Sequence, residues 1–298
     1  MTHVLLVGLG EVGRVLTEDL TSAGHAVAAH DVGFPDAASR ASANARALSL
    51  PTDVALAEQV PAADVVVSAV TPSSCVEVAR AVAPHLRART WFLDLSSASP
   101  GHKREAAGLV EDAGGRYVEV ALMSAVSPRR LGSPFLLGGP HAEDALGLAA
   151  GLGMTGAGLA DGPLGTAAAT KLCRSVVVKG MEAVFTEALL TARRLGVEDA
   201  VLASLTNMLP EGDWEALAGY FVERSLRHGT RRSEEMREAA HTVAGAGLEP
   251  WMSRACVERQ AWAGGRVPAE PGEPLLALLD RVLTDVPAPP SSPLEEHA

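Results

Sequence analysis

The sequence predicts an α/β domain of the doubly wound Rossmann type, a parallel sheet with helices on both faces, followed by an all-helical domain. Three observations carry that reading. Short apolar runs alternate with helical stretches through the first half of the chain. A glycine pattern, GLGEVG at residues 8–13, sits between the first such run and the first helical stretch. Beyond residue 161 the strand-like runs stop, and Ala, Leu, Val and Glu take over.

The expected strands are Val4–Val7, Ala26–His30, Val65–Val70, Trp91–Leu95, Tyr117–Ala121 and Phe135–Leu137. Runs such as VVVSAV are apolar throughout, as a sheet buried on both faces requires. Residues 13–23, 75–85 and 100–113 carry apolar side chains at helical spacing. From Gly165 to Leu195 there is no proline and a single internal glycine, Gly180, so one helix about 45 Å long is expected. Gly196 is placed to end it. Further helices are expected at 198–209, 213–228, 230–246, 249–263 and 272–285, with Gly229, Gly247 and Gly264 as stops. The Pro/Ser-rich segment 286–298 reads as a disordered tail. The expected division is therefore 1–161, 162–285 and 286–298.

At 298 residues the chain has room for two cores. Its 25 basic against 36 acidic residues give a net charge of −11, which argues against gripping nucleic acid or anionic lipid. Cys75, Cys173 and Cys256 are odd in number and widely separated, so neither a disulfide framework nor a metal knuckle is expected. The opening MTHVLLVGLGEVG reads as a strand running into glycines, not as a leader peptide. The longest uncharged stretch, 145–160, is interrupted by five glycines and is short for a membrane helix. A soluble, cytoplasmic protein is expected.

The glycine pattern has a chemical reading. Gly8 permits a tight turn, Gly10 lets the backbone approach a pyrophosphate, and Gly13 lets the helix pack closely on the sheet. The helix N-terminus then offers N–H groups to phosphate. Gly8, Leu9, Gly10, Val12 and Gly13 are the candidate cofactor-binding residues. Asp31, ending the second strand, can accept from ribose hydroxyls and repel a 2′-phosphate, which favours NAD over NADP. Arg40 could still reach a 2′-phosphate, so NADP stays open.

The long helix carries a polar stripe. On a helical wheel, Arg174, Ser175, Lys179 and Glu182 fall within about 80° of Lys171, among otherwise apolar residues. The chain has 22 arginines and only three lysines, Lys103, Lys171 and Lys179. Two of those three lie on this stripe. A guanidinium stays charged, whereas a partly desolvated ammonium can exchange its proton near neutrality, as a general acid/base must.

GLGEVG, FLDLSSASP (92–100), EVALMSAV (119–126) and GPLGTAAATKLCRS (162–175) together resemble the β-hydroxyacid dehydrogenase and 6-phosphogluconate dehydrogenase superfamily. The segment 228–252 resembles an uncharacterised C-terminal domain attached to some of its members. The resemblance implies an NAD(P)-dependent enzyme that oxidises a 3-hydroxy acid or reduces the matching carbonyl. It implies Lys171 as the catalytic lysine, Ser124 as a substrate-carboxylate serine, and Thr71 and Ser96 at the nicotinamide end. It also implies a homodimer formed through the helical domain. The chain departs from the 6-phosphogluconate enzymes in having Val178 where they carry a glutamate. Arg174 suggests that the substrate bears an anionic group, held by a fork of donors.

The expected function is hydride transfer between a nicotinamide and a small anionic hydroxy acid. Lys171 is the acid/base, Ser124 and Arg174 hold the anion, and Ser175 positions the hydroxyl. Two alternatives are an imine reductase on the same scaffold and a non-catalytic dinucleotide-binding protein. No role follows for Lys179, Glu182, His228 or Arg231.

Overall fold

The computed structural model describes residues 1–205, 213–270 and 273–286. The proposed tail lies outside them, apart from Val286. Seven strands form one sheet in the order β2-β1-β3-β4-β5-β6-β7. They are β1 (His3–Val7), β2 (Ala26–His30), β3 (Val65–Ser68), β4 (Trp91–Asp94), β5 (Arg116–Leu122), β6 (Phe135–Gly138) and β7 (Ala157–Leu159). The helices of this half are α1 (Glu11–Ser22), α2 (Arg40–Ala47), α3 (Leu56–Gln59), α4 (Cys75–Val82), α5 (Pro100–Asp112) and α6 (Ala142–Gly151).

Alternation along β1 shows why its apolar run is continuous. Val4 and Leu6 join one core cluster with Leu16 and Leu20 of α1, while Leu5 and Val7 join another with Ala79 of α4 and Ala106 of α5. Both faces of the sheet are covered, so each side chain needs to be apolar.

Strands β1 to β5 pair in parallel, as expected, but β6 runs antiparallel to β5 and β7 is parallel to β6. This corrects the all-parallel expectation. The chain between Leu122 and Phe135 holds no crossover helix, only a short 3-10 turn at Arg130–Gly132, and it returns antiparallel beside β5, with β7 outside it. That return is tied to α1. Arg130 donates to Asp19 Oδ1 at 2.7 Å and to Glu18 Oε2 at 2.9 Å. The sequence reading did not name β7, α2, α3 or α6.

The second half is helical: α7 (Thr166–Leu195), α8 (Glu198–Leu205 among the described residues), α9 (Trp214–Gly245), α10 (Trp251–Gly264) and α11 (Leu275–Thr284). Its core joins Leu189 and Leu190 of α7, Val222 and Leu226 of α9, Ala263 of α10, and Leu278 and Leu279 of α11. Gly196 follows α7 with φ +69°, the left-handed conformation expected of it.

Gly229 corrects a second expectation. It does not stop a helix but lies inside α9, facing α10. A Cβ there would sit 2.3 Å from the Gln260 carbonyl oxygen and 2.4 Å from the Gly264 nitrogen. A Cβ on Gly264 would in turn meet Thr230 N at 2.3 Å. The two glycines let two helix backbones touch, and any side chain would force the helices apart.

The chain divides into two compact units, Met1–Arg174 with His241–Glu249, and Ser175–Ala240 with the chain from Pro250. The division falls within α7 instead of ahead of it, as the boundary at 161/162 had it. A carboxylate of the sheet also meets the head of this helix. Glu119 on β5 accepts from Gly165 N at 2.8 Å and Ala167 N at 3.1 Å, which fastens the first turn of α7 to the α/β unit.

Candidate active site

The candidate residues of the α/β unit converge on one edge of the sheet. Gly8 follows β1, Asp31 follows β2, Thr71 follows β3, Ser96 follows β4 and Ser124 follows β5. These are the carboxyl ends of the parallel strands, where an open α/β sheet binds ligands. The chain leaves β1 toward β2 on one side and reaches β3 on the other, which opens a crevice there.

The glycine loop has the geometry its sequence requires. Gly8 takes φ +95°, and a Cβ on it would lie 2.7 Å from the Ala69 carbonyl oxygen. A Cβ on Gly13 would meet the Gly8 oxygen at 2.0 Å, so only glycine lets α1 start this close to the turn. Gly10 differs: a Cβ there would meet nothing within 4 Å. The open space lies where a pyrophosphate approaches the backbone, and no side chain caps Gly10 at the head of α1. The residues present therefore fit a dinucleotide.

Two further contacts hold this loop. Leu9 N donates to Asp31 Oδ2 at 2.7 Å, and Gly33 N donates to Asp31 Oδ1 at 2.7 Å. Asp31 is thus fixed by backbone donors at the end of β2, with lone pairs left for a ribose. The Leu9 amide is committed to Asp31, and its side chain is fully buried, so Leu9 shapes the loop and does not offer its N–H to phosphate. Val12 packs its side chain against the core. Asn44 of α2 donates to the Leu9 carbonyl at 2.8 Å. Sequence reasoning missed that role, although one signal existed: Asn44 is one of only two asparagines. Arg40 is exposed at the start of α2. Thr71 is exposed, its hydroxyl 3.1 Å from those of Ser73 and Ser74.

Below the turn after β4 lies a buried polar cluster. Lys103 and Asp94 are 2% and 1% exposed, with Nζ and Oδ2 3.0 Å apart. Tyr117 donates to Asp94 Oδ2 at 2.7 Å, and Cys75 does so at 3.1 Å. Burial alone would push the Asp94 carboxyl up. The Lys103 ammonium and the hydrogen bonds from Ser96, Tyr117 and Cys75 outweigh it and hold the carboxyl below the usual carboxylate range. Burial and the neighbouring Asp94 push the Cys75 thiol up to about 12, so it stays protonated.

This cluster corrects the expectation for Ser96. Its hydroxyl is buried and accepts from Lys103 Nζ at 3.2 Å, and its amide donates to Asp94 Oδ1 at 2.9 Å. The next residue turns the other way: Lys171 Nζ donates to Ser97 Oγ at 2.6 Å. Consecutive serines thus serve two lysines, one inside the sheet layer and one on α7. Lys171 is half-buried and lines a small cavity with Ser97, Glu119 and Ala168.

The polar stripe on α7 does not act as one surface. Arg174 is exposed and Ser175 is buried. Lys179 is ion-paired with Glu235 of α9, and the fully buried Glu182 with Arg232. Burial lowers the proton affinity of Lys179, with Glu235 opposing. Burial and four surrounding arginines lower His228 to about 4, so it is neutral at pH 7. Arg231 pairs with Glu235 at 2.7 Å. These groups form a charge network inside the helical unit. Ser124 is exposed after β5, donating to the Ala125 carbonyl at 2.9 Å.

Among the described residues, no helix is long and apolar enough to cross a membrane. The family profile of the NAD binding domain of 6-phosphogluconate dehydrogenase matches residues 3–146, and a domain of unknown function, DUF1932, matches 192–263. Human mitochondrial 3-hydroxyisobutyrate dehydrogenase is 27% identical over 222 residues, covering 72% of this chain and 64% of that enzyme. The chain thus spans less than two thirds of that relative's length. A crystal structure of a conserved hypothetical protein of Sinorhizobium meliloti 1021 is 32% identical, covers 95% of this chain and 96% of that one, and superposes with a TM-score of 0.74. Mycobacterium tuberculosis 3-hydroxyisobutyrate dehydrogenase, solved with L-serine, shares the fold with a TM-score of 0.71 at 22% identity, over 94% of this chain and 98% of that one.

Proposed function

This chain belongs to the β-hydroxyacid and 6-phosphogluconate dehydrogenase superfamily, joined to a DUF1932 domain, and on that premise we propose that it is a dehydrogenase of small anionic 3-hydroxy acids in which Lys171 is the general acid/base. One observation carries the reading. The only lysine found at the carboxyl edge of the sheet among the described residues has its Nζ anchored on Ser97, in the turn after β4. Lys103 is consumed inside the sheet layer and Lys179 inside the helical unit.

A nicotinamide dinucleotide, when bound, accepts or returns hydride at the substrate carbon. The protein's own part is to move the proton. In the oxidation direction Lys171 Nζ takes the hydroxyl proton as the carbonyl forms, and it returns that proton in reduction. Ser97 keeps the amine aimed, while the hydroxyl of Ser175, expected to position the substrate hydroxyl, is buried. Ser124 and Arg174, both exposed, supply a hydroxyl and a planar fork of donors for the substrate anion. Asp31 favours NAD, because a 2′-phosphate would set charge against a carboxylate.

The test is a panel of 3-hydroxy acids, some bearing carboxylate and some phosphonate or phosphate groups, assayed with NAD and NADP by absorbance. Turnover of at least one hydroxy acid is expected, with kcat/KM for NAD about 10–100-fold above that for NADP, the worth of one hydrogen bond to a charged group. Dinucleotide binding without turnover across the panel would favour the non-catalytic alternative. Cyclic imines offered beside the panel with NADH and NADPH, and turned over when no hydroxy acid is, would favour the imine reductase.

A homodimer through the helical unit is part of the same proposal. Val177, Met181 and Val184 leave an apolar strip exposed on one face of α7, at 61%, 38% and 53% exposure. Light scattering is expected to give a dimer mass, and Val184→Glu to shift it toward monomer. A monomeric wild type at micromolar concentration would refute it.

A further inference from the structure

Glu119 lies in β5 between two other strands and is 1% exposed. A carboxylate there must find donors within the protein. It finds them at the head of α7. Oε1 accepts from Gly165 N at 2.8 Å and Ala167 N at 3.1 Å, and Oε2 accepts from Ala168 N at 3.4 Å. Room for it is kept by Gly138, its register partner on β6, where a Cβ would sit 2.3 Å from Oε1.

The peptide groups that Glu119 holds are those from which Lys171 hangs. In an α-helix the Lys171 N–H bonds to the carbonyl of Ala167. The far end of the same side chain is held by Ser97. The turn containing Ser97 is set in turn by Asp94, which accepts from Ser96 N at 2.9 Å. Asp94 and Glu119 are register partners on β4 and β5. Adjacent buried carboxylates thus fix the two ends of one lysine, the backbone through Glu119 and the ammonium through the serine turn.

We propose that Glu119 is a positioning residue for the reaction, acting on Lys171 through the first turn of α7. The inference rests on the role given to Lys171 above. It differs from a helix cap that contributes only stability, because it requires the place and surroundings of one ammonium to change when the cap is altered.

The experiment uses the full-length protein labelled with 13Cε-lysine, which gives signals from Lys103, Lys171 and Lys179 alone. Glu119→Gln keeps the volume but sets an amide against N–H donors. Gly138→Ala keeps the carboxylate and crowds it. Both are expected to lower kcat about 10–100-fold, the cost of misplacing a catalytic group by about an ångström, with KM for the dinucleotide unchanged. Both are expected to move the Lys171 resonance while leaving those of Lys103 and Lys179 in place. Glu119→Asp is expected to recover part of the loss. Folded Glu119→Gln or Gly138→Ala protein with an unmoved Lys171 signal overturns the positioning role, whatever its melting temperature. A moved Lys171 signal in a protein that turns over no hydroxy acid retains that role and overturns the dehydrogenase reading instead.

Discussion

Lys171→Ala lowers kcat by about 10²–10⁴-fold, the usual worth of a positioned acid/base, and leaves dinucleotide affinity unchanged. The separation follows from geometry. Lys171 contacts the turn after β4, whereas the dinucleotide loop is built from the β1–α1 turn, Asp31 and Asn44. Loss of the base also removes the acid limb from the pH profile of oxidation. Lys171→Arg does not rescue the rate, because a guanidinium keeps its proton. Steady-state rates and fluorescence titration with NADH on the same samples check both halves. A Lys171→Ala protein within threefold of wild type would remove Lys171 from the chemistry.

The second large effect is on stability. Lys103→Met removes one partner of an ion pair whose members are 2% and 1% exposed, and it costs about 3–5 kcal/mol. Its pH dependence is specified. In the native protein the Asp94 carboxyl is held below its unfolded value of about 3.9. Its contribution is therefore complete above that value and is lost as pH falls through the folded one. Without Lys103 the counter-charge is gone and burial dominates, so the folded value rises above the unfolded one. The variant is then penalised most at neutral pH, and the penalty shrinks toward pH 4 as Asp94 takes up a proton. Urea midpoints at pH 7.5 and pH 5 measure this. A gap between wild type and variant that is equal at both, or below about 1 kcal/mol, is inconsistent with the ion pair as drawn. Asp94→Asn in the Lys103→Met background recovers part of the loss, because no buried charge is then left alone.

The contrast between the lysines shows how much of the site was legible. Their scarcity in an arginine-rich chain marked all three as unusual, and each holds a specific partner: Asp94, Ser97 and Glu235. Helical spacing placed Lys171 and Lys179 on one stripe, and it could not tell which of them would meet the sheet and which would meet α9. Ser96, expected at the nicotinamide end, has its hydroxyl turned toward Lys103, and it is Ser97 that meets Lys171. Neighbouring residues in a turn point to opposite sides, and a linear pattern does not say which side holds the ligand. Glu119 carried a readable signal, a charge within the apolar run YVEVAL, but not its partner, since the helix it caps begins 47 residues later. Gly229 failed as a stop for a similar reason: a helix end and a close helix crossing both ask only that a Cβ be missing.

The sequence by itself determined what depends on near neighbours: six of the seven strands, the glycine turn, the acidic residue ending β2, and the change from alternating to purely helical texture. Each is a local preference repeated over a few residues, so it survives without knowledge of the rest of the chain. Tertiary structure alone decided which charges are consumed in pairs, which serine faces the lysine, and that the edge of the sheet reverses direction. Those outcomes depend on groups brought together from distant positions, where the cost of burying a charge without a partner selects the arrangement.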